Sequence, residues 1–222
     1  RMEVTYGRIS QSEILETVLH SDIEKIKQTL SAIDHKAFNL AIDTILGAEK
    51  IYVIGIRSCA PLASFLSFYL NLVCQDVTAV TTNSSSEIFE QLIRINEKDV
   101  IIGISFPRYS MRTLKALEFA SNRKAKVITL TDSVHSPMNL YSSCNLIARS
   151  DMASIVDSLV APLSVINALI VALCMKKQDE VVSTLETLEK IWGEYQVYSG
   201  DELNPVSGTV SVENDGKDTE GR

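Results

Sequence analysis

The sequence has few of the residues that bind metal ions or form disulfide frameworks. It contains only three histidines and four cysteines, and no two cysteines form a CxxC pair. No cysteine lies at zinc-ligand spacing with a histidine, which argues against a zinc site. We therefore predict no metal and no cofactor. We expect four reduced thiols in a cytoplasmic protein, three of them buried as small hydrophobic side chains.

The chain also lacks an excess of positive charge. Its formal net charge is −7, and nucleic-acid phosphates are held mainly by Lys and Arg, so the chain itself is not predicted to bind DNA or RNA. Residues 201–222 carry six acidic side chains and two basic ones, which account for −4 of the −7. The remainder is only mildly acidic, and its charge says little about a partner.

The sequence has no long apolar run free of polar residues. The longest candidate, Ala153 to Met175, contains Asp157, Pro162 and Asn167. This composition predicts a buried core or interface helix rather than a membrane span. A proline inside a helix removes a hydrogen bond and clashes with the preceding turn, so we expect a kink at Pro162 or a helix that starts near it.

Three regions are predicted from the hydrophobic pattern. Residues 1–47 are predicted to be helical, residues 48–198 to form an α/β domain, and residues 199–222 to be a disordered acidic tail, since the last segment has no apolar period. The length and the hydrophobic fraction of 45% are sufficient for one sizeable core with a helical appendage.

The N-terminal region is predicted to contain three helices. One runs from Ser10 to Leu19. A capping box of Ser21 and Glu24 starts the second. Asp34 caps the third, which ends at Gly47.

After residue 47 short apolar, β-branched runs alternate with helical patterns. The predicted strands are Lys50–Ile54, Val77–Val80, Asp99–Ile104, Lys126–Leu130 and Asn145–Ala148. The predicted helices are Ala60–Leu72, Glu87–Ile93, Ser110–Asn122, a short one after Ser136, Ser154–Lys176 and Asp179–Tyr195. Apolar runs of this kind are typical of parallel strands buried on both faces. The alternation predicts a three-layer α/β/α fold with a doubly wound sheet.

The loops that follow the predicted strands are rich in hydroxyl groups and contain two arginines. In an open parallel sheet, ligands bind beyond the carboxyl ends of the strands, where helix N-termini offer unpaired N–H groups. Serine and arginine add donors suited to an anion. The predicted ligand-binding residues are Gly55, Arg57, Ser58, Ser84, Ser85, Ser105, Arg108 and Ser110. Two alternatives remain: the serines act only as helix caps, and the arginines form ion pairs at a subunit contact.

The sequence offers few candidates for acid–base catalysis. Glu87, Asp132 and His135 follow predicted strands. Glu87 forms a capping-box pattern with Ser84, which favours a structural role. Because no acid–base pair occurs at a telling spacing, we predict no catalytic residue and favour a binding protein over an enzyme.

Two phrases, Val53–Ser58 and Ile104–Ser110, resemble the SIS (sugar isomerase) family, and in particular the sugar-phosphate-responsive domain of RpiR-type (MurR/RpiR) bacterial transcription regulators. The family patterns are Gly-x-Gly-x-Ser and Ser-x-Ser-Gly-x-Thr. Here Arg57 and Arg108 stand in place of glycines and Pro107 in place of a serine. The resemblance implies a flavodoxin-like, five-stranded parallel sheet of order 2-1-3-4-5, preceded by the N-terminal helical segment.

The resemblance also implies roles for residues and for the whole protein. Ser58 and Ser105 match phosphosugar-binding serines, and Ser110 stands where the threonine usually stands. The implied function is a sensor of a phosphorylated sugar, with a phosphosugar isomerase as the alternative. The implied partners are further copies of the chain, forming a homodimer or tetramer through the SIS helices, and DNA through an N-terminal helix-turn-helix domain absent from this chain. We expect the chain to be part of a longer regulator, and a free-standing SIS protein is the alternative.

Overall fold

The computed structural model describes residues 13–151 and 157–197. By its internal contacts the chain divides into a unit of residues 1–182, which contains the sheet, and a unit of residues 183–222. The predicted disordered tail, residues 199–222, lies outside the described residues.

Five parallel strands form one sheet in the order β2-β1-β3-β4-β5, which confirms the predicted topology. The strands are β1 (Ile51–Gly55), β2 (Val77–Val80), β3 (Val100–Ile104), β4 (Lys126–Thr131) and β5 (Cys144–Ile147). Strand order reverses between β1 and β3, whose last residues, Gly55 and Ile104, are paired directly. Their two following loops therefore start side by side.

Seven α-helices occur in the part of the chain that the structure describes. They are α1 (Ile14–Ser31), α2 (His35–Leu46), α3 (Ala60–Val73), α4 (Ser85–Leu92), α5 (Met111–Asn122), α6 (Val160–Lys176) and α7 (Gln178–Glu194). Two 3₁₀ turns, Arg57–Cys59 and Pro137–Leu140, follow β1 and β4. Helices α2, α3 and α6 pack on one face of the sheet, and α4 and α5 pack on the other. This arrangement confirms the three-layer prediction.

The alternation of side chains along each strand explains the two layers of core. Val53 packs in the cluster that includes α2, α3 and α6, whereas its neighbours Tyr52 and Ile54 pack in the cluster that includes α4 and α5. Successive strand side chains point to opposite faces, so an uninterrupted apolar run fills both cores.

The N-terminal region differs from the prediction. Helix α1 runs without a break from Ile14 to Ser31. The prediction that a capping box of Ser21 and Glu24 starts a second helix is therefore wrong. The Ser21 hydroxyl instead accepts a hydrogen bond from the ammonium group of Lys25, one turn later. The helix continues because it contains neither proline nor glycine, and capping residues alone do not end a helix. The predicted start at Ser10 lies outside the described residues.

The boundaries of α2 agree with the prediction. The Asp34 carboxylate accepts hydrogen bonds from the backbone N–H groups of Lys36 (2.8 Å) and Ala37 (3.1 Å), as an N-cap does. Gly47 stands at the C-terminal end of the helix.

The cysteines are less buried than predicted. Cys59 and Cys144 are buried, but Cys74 and Cys174 are only half-buried, so two thiols and not three lie in the core. The two half-buried thiols lie near the C-terminal ends of α3 and α6, where part of each helix surface faces solvent.

Helix α6 begins at Val160, which confirms the expectation of a helix that starts near Pro162 rather than one kinked there. Pro162 lies in the first turn, where the N–H group that proline lacks has no partner within the helix. The predicted start at Ser154 lies outside the described residues. Among the described helices, none alone is long and apolar enough to cross a bilayer, and α6 with α7 meets that length only as a bent pair.

We expect Asp34→Ala to lower the free energy of unfolding by about 1 kcal/mol, because two N–H groups of α2 lose their acceptor. Urea denaturation followed by circular dichroism measures the change. The matched control is Asp43→Ala in the same helix, where the side chain is exposed and caps nothing. Equal destabilisation of both variants would contradict the capping role.

Candidate functional site

The loops after β1 and β3 meet at the carboxyl edge of the sheet, at the point where strand order reverses. Direct pairing of Gly55 with Ile104 brings the two loops side by side. A hydrogen bond from the backbone of Phe106 to the Cys59 thiol joins them further on. Burial raises the pKa of that thiol, and the hydrogen bonds from Phe106 and from the Ser58 side chain oppose the rise. In doubly wound sheets this switch point is where ligands bind.

Gly55 permits close packing at the end of β1. A Cβ atom there would lie 2.6 Å from the carbonyl oxygen of Cys59 and 2.9 Å from the Cβ of Ala63. Only a residue without a side chain leaves room for the 3₁₀ turn and the start of α3. The backbone bends sharply two residues later, at Arg57.

Arg57 adopts a left-handed backbone conformation, with φ of 59°. It is also the first residue of the 3₁₀ turn Arg57–Cys59, which continues in right-handed conformation. A left-handed residue next to a right-handed one turns successive N–H groups into the same concavity, which is an anion-binding arrangement. No side chain of the described residues caps this turn or α3. The N–H of Cys59 donates to the carbonyl of Ile56 and that of Ala60 to the carbonyl of Arg57, whereas the N–H groups of Arg57 and Ser58 have no described acceptor and are available to a ligand. The Ser58 side chain is exposed beside them.

The loop after β3 repeats the unusual conformation. Arg108 has φ of 66° and an exposed side chain. Ser105 is buried, and its hydroxyl accepts a hydrogen bond from the N–H of Ser110 at 3.2 Å. Ser110 in turn caps α5 by accepting from the N–H of Thr113. Two of the predicted site serines thus shape the loop, whereas Ser58 faces solvent.

Both left-handed arginines stand where the SIS patterns have glycine. Glycine adopts this conformation freely, whereas another residue held there carries strain of about 1–3 kcal/mol. Such strain is found where surrounding structure imposes it, often at binding sites. The backbone of both loops therefore keeps the shape that glycine would adopt while carrying two guanidinium groups.

The loop after β2 contributes the remaining predicted residues. Ser84 caps α4, and its hydroxyl also contacts that of Ser86. The exposed Ser85 hydroxyl accepts a hydrogen bond from Nε of Arg112, in the first turn of α5, at 3.3 Å. This bond connects the second loop to the helix that follows the third, so the predicted residues surround one edge.

The candidate catalytic residues are occupied or exposed. The Glu87 carboxylate accepts from the Thr82 hydroxyl at 2.6 Å, and that hydroxyl oxygen accepts from the N–H of Ser84. The predicted capping box is thus half formed: the Ser84 hydroxyl accepts from the N–H of Glu87, but the Glu87 carboxylate reaches the N–H of Ser84 only through Thr82. His135 is exposed, and only its backbone N–H makes a described hydrogen bond, to the Ser133 hydroxyl.

One network at this edge was missed by sequence reasoning. The Tyr109 hydroxyl donates to the Asp132 carboxylate at 2.7 Å, and the Thr131 hydroxyl bonds both Asp132 and Ser136. Burial and the neighbouring carboxylate raise the pKa of Tyr109. The network ties the third loop to the fourth. A tyrosine two residues after Pro107 was visible in the sequence, but nothing in the pattern pairs it with a residue 23 positions later.

A cavity of about 700 Å³ lies at the opposite, amino edge of the sheet. Lys50 pairs there with Asp76 at 3.0 Å, Glu49 pairs with the neighbouring Lys98 at 2.8 Å, and the lining residues Glu90 and Asp99 add negative charge. Helix α4 ends here, and the C-terminal end of a helix repels anions. The carboxyl edge, where α3, α4 and α5 begin, is therefore the better anion site.

The SIS domain family model matches residues 44–172, which is more than half of the chain. The chain belongs to the SIS family. This confirms the resemblance drawn from the two loop phrases.

Relatives of this SIS domain include regulators. An uncharacterized HTH-type transcriptional regulator from Clostridium perfringens is 26% identical over 137 residues, which are 62% of this chain and 48% of that protein. The chain spans about half to two thirds of the length of the curated relatives that it matches. The crystal structure of the sugar isomerase domain of an RpiR transcription factor from Sphaerobacter thermophilus is 27% identical, with a TM-score of 0.77, covering 80% of this chain and 99% of that one.

Two further solved structures share the fold. The Vibrio vulnificus NanR protein complexed with ManNAc-6P is 20% identical, with a TM-score of 0.71 over 82% of this chain and 69% of that one. A phosphoheptose isomerase from Neisseria gonorrhoeae is 18% identical, with a TM-score of 0.60 over 77% of this chain and 100% of that one. At these identities the likeness concerns architecture alone, so SIS regulators and SIS enzymes cannot be separated by fold.

We expect Gly55→Ala to destabilise the SIS domain by at least about 1–3 kcal/mol, because the added methyl group meets a backbone carbonyl that belongs to a helical turn. Thermal and urea unfolding measure the loss. Gly193→Ala is the control: a Cβ there meets nothing within 4 Å, and alanine favours a helix. If Gly55→Ala unfolded like the wild type, the close packing at β1 would be disproved.

Proposed function

We propose that this chain is the ligand-sensing SIS domain of an RpiR-type transcription regulator, and that it binds a phosphorylated sugar at the carboxyl edge between β1 and β3. The observation that carries the proposal is the uncapped turn at Arg57–Cys59, where the N–H groups of Arg57 and Ser58 have no described acceptor and the exposed Ser58 hydroxyl lies beside them at the switch point of the sheet. A phosphate needs such converging donors.

The predicted residues take different parts in this proposal. Ser58 and the backbone of the first loop hold the phosphate. Gly55 and Ser105 shape the two loops, and Ser110 orients the start of α5. The remaining members of the proposed site, placed around the rim, are Arg57, Arg108, Ser84 and Ser85.

The names of the relatives support the regulatory part. Curated relatives are HTH-type regulators longer than this chain, and one similar structure is the sugar isomerase domain of an RpiR factor. In such a regulator DNA would be contacted by a helix-turn-helix domain, in the cytoplasm. A phosphosugar that binds one arrangement of the protein better than another would shift the balance between them.

Self-association is part of the same proposal. Helix α1 exposes Leu15 and Leu30, each about two thirds or more accessible, and α3 exposes Phe68. Helix α6 was expected from the sequence to be a buried core or interface helix. It buries most of its apolar side chains in the core and leaves Val171 and Met175 exposed. The exposed apolar side chains of α1 thus favour α1 over α6 as the contact between copies of the chain. Light scattering measures the number of copies in the assembly.

We expect Ser58→Ala to weaken phosphosugar binding by about tenfold to a hundredfold, because a hydrogen bond to a charged group contributes about 1.5–3 kcal/mol. Calorimetric titration with a panel of hexose, pentose and amino-sugar phosphates measures the affinity. Ser58 is exposed, so the free energy of unfolding should not change. Ser105→Ala is a poorer test, since it also removes the acceptor of the Ser110 N–H.

Ser164→Ala is the matched control. That serine is exposed on α6, and its hydroxyl donates only to the carbonyl of Val160 in the same helix. Binding should stay at the wild-type level. Unchanged affinity of Ser58→Ala for every phosphosugar that the wild type binds would defeat the site assignment, and failure of the wild type to bind any would defeat the function.

The alternative, a phosphosugar isomerase, is favoured by no particular side chain. Glu87 and Asp132 are engaged by neighbouring hydroxyl groups, and an isomerase needs a base free to move a proton beside a carbonyl. Incubation with fructose 6-phosphate and ribose 5-phosphate, followed by product analysis, separates the two functions. Turnover that requires a residue of this edge would establish the enzyme instead.

A further inference from the structure

Arg57 and Arg108 are cations without a partner in the described chain. Both side chains are exposed, and no described acidic group pairs with either guanidinium. Two other arginines are engaged: Arg112 donates to Ser85, and Arg123 donates to the carbonyl of Ile93 and stacks on the ring of Phe119. The exposed guanidinium groups of Arg94, at the amino edge, and of Arg149, after β5, have no described partner either. The positive charge at the carboxyl edge is therefore available to a ligand.

No acidic side chain forms a described ion pair with either arginine, although the charge of Asp157 reaches the first loop and helps to raise the pKa of Cys59. The Asp132 carboxylate accepts hydrogen bonds from Tyr109 and Thr131, and the Glu87 carboxylate accepts one from Thr82. Both acids thus have neutral donors as their described partners. The guanidinium groups of Arg57 and Arg108 are therefore open to an anion from outside.

The two arginines also occupy matching places. Arg57 follows the end of β1 by two residues and Arg108 follows the end of β3 by four, and these strand ends are paired. Both residues have the left-handed backbone that glycine adopts most easily. Arginine at these two positions carries strain, and neither guanidinium group makes a described hydrogen bond within the fold, which indicates a role toward a ligand.

We propose that the ligand is a phosphorylated sugar acid: the first loop binds its phosphate, and Arg57 and Arg108 bind its carboxylate. This inference rests on the proposed function, because it takes the same edge as the phosphosugar site. A guanidinium matches a carboxylate through two parallel hydrogen bonds. A phosphate has three terminal oxygens and a carboxylate only two, so a second phosphate would need more backbone donors. The N-termini of α4 and α5 could supply them, but both already have serine caps. The carboxylate therefore fits better.

The test is calorimetric titration with matched pairs of an aldonic acid phosphate and its aldose phosphate, such as 6-phosphogluconate and glucose 6-phosphate. Wild type should bind the acid of at least one pair about tenfold or more tightly than the aldose. Arg57→Gly and Arg108→Gly should each lose most of that preference while still binding the aldose phosphate. Glycine keeps the left-handed backbone, so neither variant should unfold more easily.

Lys124→Gly is the matched control. Lys124 is also exposed and left-handed, with φ of 64°, but it follows α5 at the amino end of β4. Its replacement removes one positive charge and one strained residue away from the site. The preference for the acid should persist in this variant.

Four results would overturn the inference. Equal affinity of the wild type for both members of every pair would do so while leaving the proposed function intact. Equal binding of fructose 1,6-bisphosphate and the best acid would disprove the assignment of a carboxylate. If Lys124→Gly lost the preference for the acid as much as Arg57→Gly and Arg108→Gly do, the preference would come from the general positive charge of the protein and not from the two arginines. Failure to bind any phosphorylated sugar, acid or neutral, would defeat the proposed function as well.

Discussion

The end of β1 approaches the start of α3 so closely that residue 55 has no room for a side chain. The carbonyl of Cys59 lies 2.6 Å from where a Cβ atom of Gly55 would be. This approach draws the 3₁₀ turn against the strand and opens the left-handed bend at Arg57. At the start of that turn the N–H groups of Arg57 and Ser58 have neither a capping side chain nor another described acceptor. Everything proposed for the carboxyl edge depends on this one packing constraint.

The loop after β3 obeys a similar constraint by different means. Ser105 is buried, and its hydroxyl holds the N–H of Ser110, which fixes the path of the loop between them. Arg108 lies within that path in a left-handed conformation. Side-chain hydrogen bonds thus impose here what close packing imposes at β1. The result is two loops of glycine-like shape that carry arginine.

Much of this architecture was predictable from local pattern. All five strands were placed to within one residue at each end, because buried parallel strands are short apolar runs that contrast strongly with the helices between them. Asp34 was predictable as a cap because its role needs only its own neighbours. Ser21 shows the limit of that reasoning: a capping pattern is present, but the residues on both sides favour a helix and the helix continues.

For the candidate site, the sequence by itself determined which residue types follow each strand, and the parallel topology placed them at one edge. Only the tertiary structure decided what each does. Ser58 faces solvent while Ser105 is buried, and the Tyr109 hydroxyl finds Asp132 across 23 residues. It also showed that Arg57 and Arg108 share a left-handed backbone. Exposure, long-range hydrogen bonds and strained conformations depend on how distant segments pack, and a linear pattern of residue types contains no information on that packing.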